Sequence, residues 1–127
     1  MRFPRFTLAV AALGLIAPQI AAAHTQLVSS SPAPNAKVAA PTKIELRFNE
    51  AVIGATARAT IAMTGMPGMA KHAPMAITGF TAQIGKDRKS MTLLLRRPLT
   101  AGTYVVTWTA AGADTHRISG TFSFTVR

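Results

Sequence analysis

No cysteine occurs anywhere in the 127 residues. Disulfides and metal–thiolate sites are thereby excluded, so stability rests on packing and metal chemistry is narrowed to His, Met and carboxylate. Acidic residues are scarce, four Asp and Glu against fourteen Lys and Arg, giving a formal charge of +10. No general acid–base pair is evident in so small a set. One Trp and one Tyr offer little stacking surface, and the basic residues are scattered, so nucleic acid is a poor candidate partner. An anionic membrane surface or an acidic protein fits the charge better, beside the plainer reading of a solvated basic surface that keeps the chain soluble. No long amphipathic helix is visible. The apolar run from Leu8 to Ile20 is broken by Gly14 and Pro18 and falls short of the ~20 residues of a spanning helix.

That run instead has the order of features of a secretory signal. Arg2 and Arg5 precede it and Ala21, Ala22 and Ala23 follow it as a small-residue cleavage site. Residues 1–23 are read as a signal peptide, and cleavage leaves His24 first. The remainder, 24–127, is long enough for one domain with a real core and too short for two. Losing Arg2 and Arg5 still leaves the domain strongly basic.

Strict alternation marks the strands. Ile44, Leu46 and Phe48 share one face of the segment Lys43 to Asn49, with Lys43, Glu45, Arg47 and Asn49 on the other. Met91 to Leu95, Tyr104 to Trp108 and Phe122 to Val126 repeat the pattern. Shorter candidates are Gln26 to Ser30, Arg58 to Ala62 and Met75 to Phe80. Turn-forming clusters separate them at 31–35, 85–87 and 98–102. About seven short strands in this length predict an all-β fold, an immunoglobulin-like sandwich without the antibody disulfide. Tyr104 and Trp108 are read as core.

Two constellations carry chemistry. Met63, Met66, Met69, His72 and Met75 recur every three residues. That period fits neither strand nor helix, and Gly65, Pro67, Gly68 and Pro74 would break either, so the stripe is expected in a loop and not on a core face. Thioethers are soft, neutral ligands that select Cu(I), and an imidazole can complete the set. They also survive an oxidising compartment without forming disulfides. The plainer reading is an apolar loop whose methionines fill gaps or meet a protein partner.

The second constellation depends on cleavage before His24, which places a free α-amine beside that residue's imidazole, two nitrogens able to chelate one Cu(II). Asp114 and His116, two apart in an expected extended segment, would face the same way and add an oxygen and a nitrogen. Three nitrogens and one oxygen suit the tetragonal preference of Cu(II) and match Mg or Ca poorly. Glu50 shares the parity of the inward residues of its strand and is a further candidate, as a weak ligand or as a hydrogen-bond partner of a ligating ring; it can equally turn outward where the strand frays. Arg117 is read as a solvated charge.

Taken in order, these residues resemble the CopC family over essentially the whole of 24–127. The resemblance is carried by His24 with Ser30-Ser31-Pro32-Ala33, by Phe48-Asn49-Glu50, by the Met66-Pro67-Gly68-Met69 loop with His72, by the run from Leu99 to Trp108, and by Asp114-Thr115-His116 with Gly120. It implies a seven-stranded Greek-key β-sandwich close to the cupredoxins, placed in the bacterial periplasm. It further implies copper as cargo, with Cu(I) held by donors among Met63, Met66, Met69, His72 and Met75, and Cu(II) by His24, Asp114 and His116 with Glu50 nearby. Hand-off to an inner-membrane importer of the CopD type is implied as well, with a monomeric apo protein. One departure is Ala111-Gly112-Ala113, a flexible approach to Asp114. Two other readings are kept. An N-terminal His chelating copper also resembles the histidine brace of oxidative enzymes, against which stands the anionic Asp114, whose donor opposes reduction of the metal. A plain immunoglobulin-like interaction module that binds no metal is the other.

Overall fold

The computed structural model describes residues 25–127 and Gly14. The signal-peptide expectation for 1–23 and the His24 ligand therefore lie outside the described residues. Within them the chain forms nine strands and one short 3-10 turn: β1 (Leu27–Ser31), β2 (Lys37–Val38), β3 (Lys43–Phe48), the turn Gly54–Thr56, β4 (Arg58–Gly65), β5 (Met75–Ile77), β6 (Phe80–Ile84), β7 (Ser90–Leu95), β8 (Gly102–Ala111) and β9 (Arg117–Val126). Seven have five residues or more, as the sequence pattern leads one to expect. The two additions, β2 and β5, are too short to show any periodicity.

Two sheets are stacked face to face, one ordered β1-β3-β7-β6 and the other β2-β9-β8-β4-β5. All pairings are antiparallel except that of β2 with β9. The alternation read from the sequence is what closes the sandwich. Ile44 and Leu46 of β3, Met91 and Leu93 of β7, and Val106 of β8 are wholly buried, with Tyr104, Trp108, Phe122, Phe124 and Val126 beside them. Each such side chain removed from water stabilises the fold by roughly 1.5–3 kcal/mol. Phe48 meets Trp108 edge to face across the two sheets at 5.2 Å, and Tyr104 stacks on its cross-strand neighbour Phe124 at 5.7 Å. The Tyr104 hydroxyl donates to the Thr100 carbonyl oxygen at 2.7 Å, so this ring is buried with its polar end satisfied.

One expected strand is corrected. Met75 to Phe80 does not run continuously; it breaks at Thr78-Gly79 into β5, which pairs with β4, and β6, which pairs with β7 in the opposite sheet. The chain crosses between sheets at Thr78-Gly79, where Gly79 has no side chain to pack. The spine of the molecule is the β8–β9 hairpin, in register over ten pairs from Gly102↔Val126 to Ala111↔Arg117. A ten-residue strand spans about 30 Å. Its two ends carry the two candidate sites.

Candidate metal centres

At one end, β4 runs past Gly65 into a tight reversal. Met66 and Met69 exchange both backbone hydrogen bonds at 2.9 Å around Pro67-Gly68, and Gly68 has φ +82°. Proline first and a positive-φ glycine second are the signature of a type II turn. Residues that exchange both bonds lie directly opposite, with side chains on the same face of the ribbon. Met66 and Met69 are therefore neighbours by construction, and both are exposed, at 39% and 53%. Met75 opens β5 and is also exposed.

His72 is tied back to this hairpin by its N–H, which donates to the Thr64 carbonyl at 2.9 Å. Its Nδ1 lies 2.7 Å from the Ala73 carbonyl oxygen. A carbonyl only accepts, so Nδ1 carries a proton, and in the neutral ring that tautomer leaves the lone pair on Nε2. That Nε2 is buried and has no hydrogen-bond partner. A buried polar atom left so is costly, by about 1–3 kcal/mol, and its lone pair suits a soft cation.

Met63 departs from the expected loop set. It sits inside β4, paired with Tyr104 and Met75, 7% exposed and within the hydrophobic core. The every-third-residue spacing spans a change of structure from strand to turn to strand, so equal spacing in sequence does not give one common surface. Met75 likewise belongs to a strand and not to a loop, although its side chain is exposed. The exposed donors at this end are Met66, Met69 and Met75, and His72 is half-buried in the arm that returns from the hairpin.

At the other end, Asp114 and His116 lie in the turn that joins β8 to β9. The segment is not extended as expected: Thr115 has φ +66°, and its N–H donates to the Gly112 carbonyl at 2.9 Å. Asp114 and His116 nonetheless converge, by a different device. Asp114 Oδ1 accepts from the His116 N–H and Oδ2 meets the His116 Nδ1, both at 3.1 Å. A carboxylate accepting from Nδ1 leaves Nε2 facing outward as the donor nitrogen, the arrangement by which carboxylates orient metal-binding rings. The His116 side chain is 76% exposed.

The first described residues are fastened against this same turn. Thr25 is buried, its hydroxyl filling the space a side chain on Gly112 would take. Gln26 exchanges hydrogen bonds with Asn49, donating to Oδ1 at 2.7 Å and accepting from its N–H at 3.0 Å. Glu50 follows in a half-buried bend, and Val52 bridges to Gly112. Among the described residues, however, no group of three or more His, Asp and Glu comes together. Asp114 and His116 are joined; Glu50 is not brought into a cluster with them.

The family model described as the CopC domain matches residues 27–127. The chain belongs to the CopC family. Among its CopC relatives, Copper resistance protein C of Pseudomonas syringae pv. tomato is 45% identical, covering 91% of this chain and 90% of its own. Copper resistance protein C of Escherichia coli is 47% identical over 84% of each. The solved structure of PcoC, described as a methionine-rich copper resistance protein from Escherichia coli, superposes with a TM-score of 0.74 at 44% identity, covering 83% of this chain and all of that one. CopC from Methylosinus trichosporium OB3b gives 0.61 at 30% identity. The all-β, cupredoxin-like sandwich is thus the fold of this family.

Proposed function

We propose that the chain is an exported copper carrier of the periplasm, binding Cu(I) at the methionine hairpin and Cu(II) at the opposite end, and surrendering the ion to a membrane importer of the CopD type. The observation that carries this reading is the buried, unpartnered Nε2 of His72, on an arm tied by its backbone to the hairpin that pairs the exposed Met66 and Met69. Met66, Met69, Met75 and His72 supply four soft or borderline donors of no net charge, a set suited to Cu(I). Neutral thioethers hold the ion by donation alone and sit at the surface, so another soft ligand can displace them one at a time. Met63, in the core, is left out of this set. Function then requires ligand exchange and no bond-making catalysis, which favours a carrier over an oxidative enzyme.

At the other end the Cu(II) donors would be His24, through amine and imidazole, with His116 Nε2 and Asp114. Residue 24 is joined to Thr25 by one ~3.8 Å Cα step, and Thr25 is fastened against Gly112, two residues from Asp114. Glu50 is within the same end of the sandwich as a further hydrogen-bonding group. The test is an EPR-monitored Cu(II) titration of residues 24–127 beside the same chain with one extra residue before His24. One equivalent bound with a nitrogen-rich tetragonal spectrum, lost or altered by the extension, is the expected result. Identical binding by both chains, or none by either, removes His24 from the site.

A further inference from the structure

The methionine end of the sandwich carries, besides the proposed copper donors, a basic surface that copper binding does not use. Behind the hairpin, between β5 and the segment leading into β8, lies a mostly apolar cavity of about 380 Å³, lined by Ile77, Gly79, Leu99 and Tyr104 and flanked by Arg96 and Arg97. Both arginines are exposed, as is Lys71 in the hairpin's returning arm. No carboxylate among the described residues pairs with any of the three; the acidic residue nearest this end in register, Glu45, is already bridged to Lys43 at 3.3 Å. At the same end of the sandwich the apolar side chains of Met66 and Met69, at the tip of a turn, and of Met75 are exposed.

Unpaired cations around a protruding apolar tip match the layered chemistry of a bilayer surface. The cations meet anionic headgroups while the tip enters the boundary with the acyl chains. We infer that this end docks on an anionic phospholipid surface, with Arg96 and Arg97 gripping headgroup phosphate at the mouth of the cavity and the Met66–Met69 turn dipping into the interface. An acidic protein would satisfy the arginines but offers no apolar layer for the exposed Met66 and Met69 side chains. The inference stands on charge and exposure and does not require the copper reading.

The test uses residues 24–127, which contain every strand and core residue among the described ones, co-sedimented with vesicles of phosphatidylethanolamine and phosphatidylglycerol and, separately, of phosphatidylcholine. Binding to the anionic vesicles, weakening with salt, and none to phosphatidylcholine are expected. The double variant R96Q/R97Q should bind about 25-fold more weakly, since each cation at an anionic surface contributes roughly a fivefold factor. The variant K86Q/K89Q, with the same charge change in the β6–β7 turn at the far end, should bind like the parent. Equal losses in the two variants would mean attraction by net charge alone and overturn the site. Absence of binding to either vesicle would overturn the docking and leave the basic end to an acidic protein. Cu(I) uptake by R96Q/R97Q, read by competition with a chromophoric chelator, should match the parent, so a failure of copper binding is seen separately from a failure of docking.

Discussion

His72 is caught between stability and use. Its Nδ1 proton is spent on Ala73, and its Nε2 is buried without a partner. A His72→Phe substitution removes the unsatisfied atom along with one hydrogen bond, contributions of opposite sign that are each about 1 kcal/mol. The expected outcome is a urea midpoint close to that of the parent together with at least a tenfold loss of Cu(I) affinity in chelator competition. A strongly destabilised variant, or unchanged affinity, would mean that Nε2 has another role. The residue scale also shows what could and could not be read in the chain. The histidines and methionines named themselves by chemical type. What spacing could not reveal was that Met63 falls on the inward parity of β4, set by Ile61 two residues earlier and by pairing with Tyr104. Nor could it reveal that Asp114 and His116 meet through a left-handed Thr115, because residues of the β-branched type seldom adopt that conformation.

Among the elements, the methionine hairpin is the one most open to a test of design. Gly68 sits at φ +82° with open space where a side chain would project, so Gly68→Ala introduces conformational strain and no collision. That strain is about 1 kcal/mol. Because the turn lies outside the core, thermal unfolding should shift little. Cu(I) affinity should fall several-fold as Met66 and Met69 lose their enforced pairing, and an unaffected affinity would show that the turn does not organise the donors. The long core strands were legible because each buries one face and exposes the other; β3, β7 and the middle of β8 needed only the period of two. β6 was missed beyond Phe80 because it is an edge strand whose middle residues, Thr81, Ala82 and Gln83, are all exposed. The first half of β9 was missed for a like reason: Arg117 to Thr121 alternates between exposed and half-buried positions, with Gly120 yielding its inward place to the Trp108 ring.

For the whole molecule, the decisive dimension is the length of β8. Its ten residues separate the two candidate centres by about 30 Å, far beyond any shared coordination. Copper bound at one end reaches the other only by leaving, or by contact between two molecules placed end to end. If Cu(I) is loaded at the methionine end and then exposed to oxidant, the appearance of the Cu(II) EPR signal should therefore accelerate in proportion to protein concentration. A rate independent of concentration would instead mean that the ion crosses by release into solution and recapture, and not by contact between molecules.

The ten-pair β8–β9 hairpin has one more implication, for the order in which the chain assembles. Its strands are neighbours in sequence, joined by a five-residue turn, so they can zip together without closing a long loop. β1 must instead find β3, and Thr25 must find Gly112, nearly ninety positions away along the backbone. The carboxyl-terminal ribbon is thus the natural seed, and the amino terminus the last piece to latch. If His24 supplies the proposed nitrogen donors, these meet Asp114 and His116 only once Thr25 has docked on Gly112, so a chain halfway through folding would have no second grip with which to trap the ion.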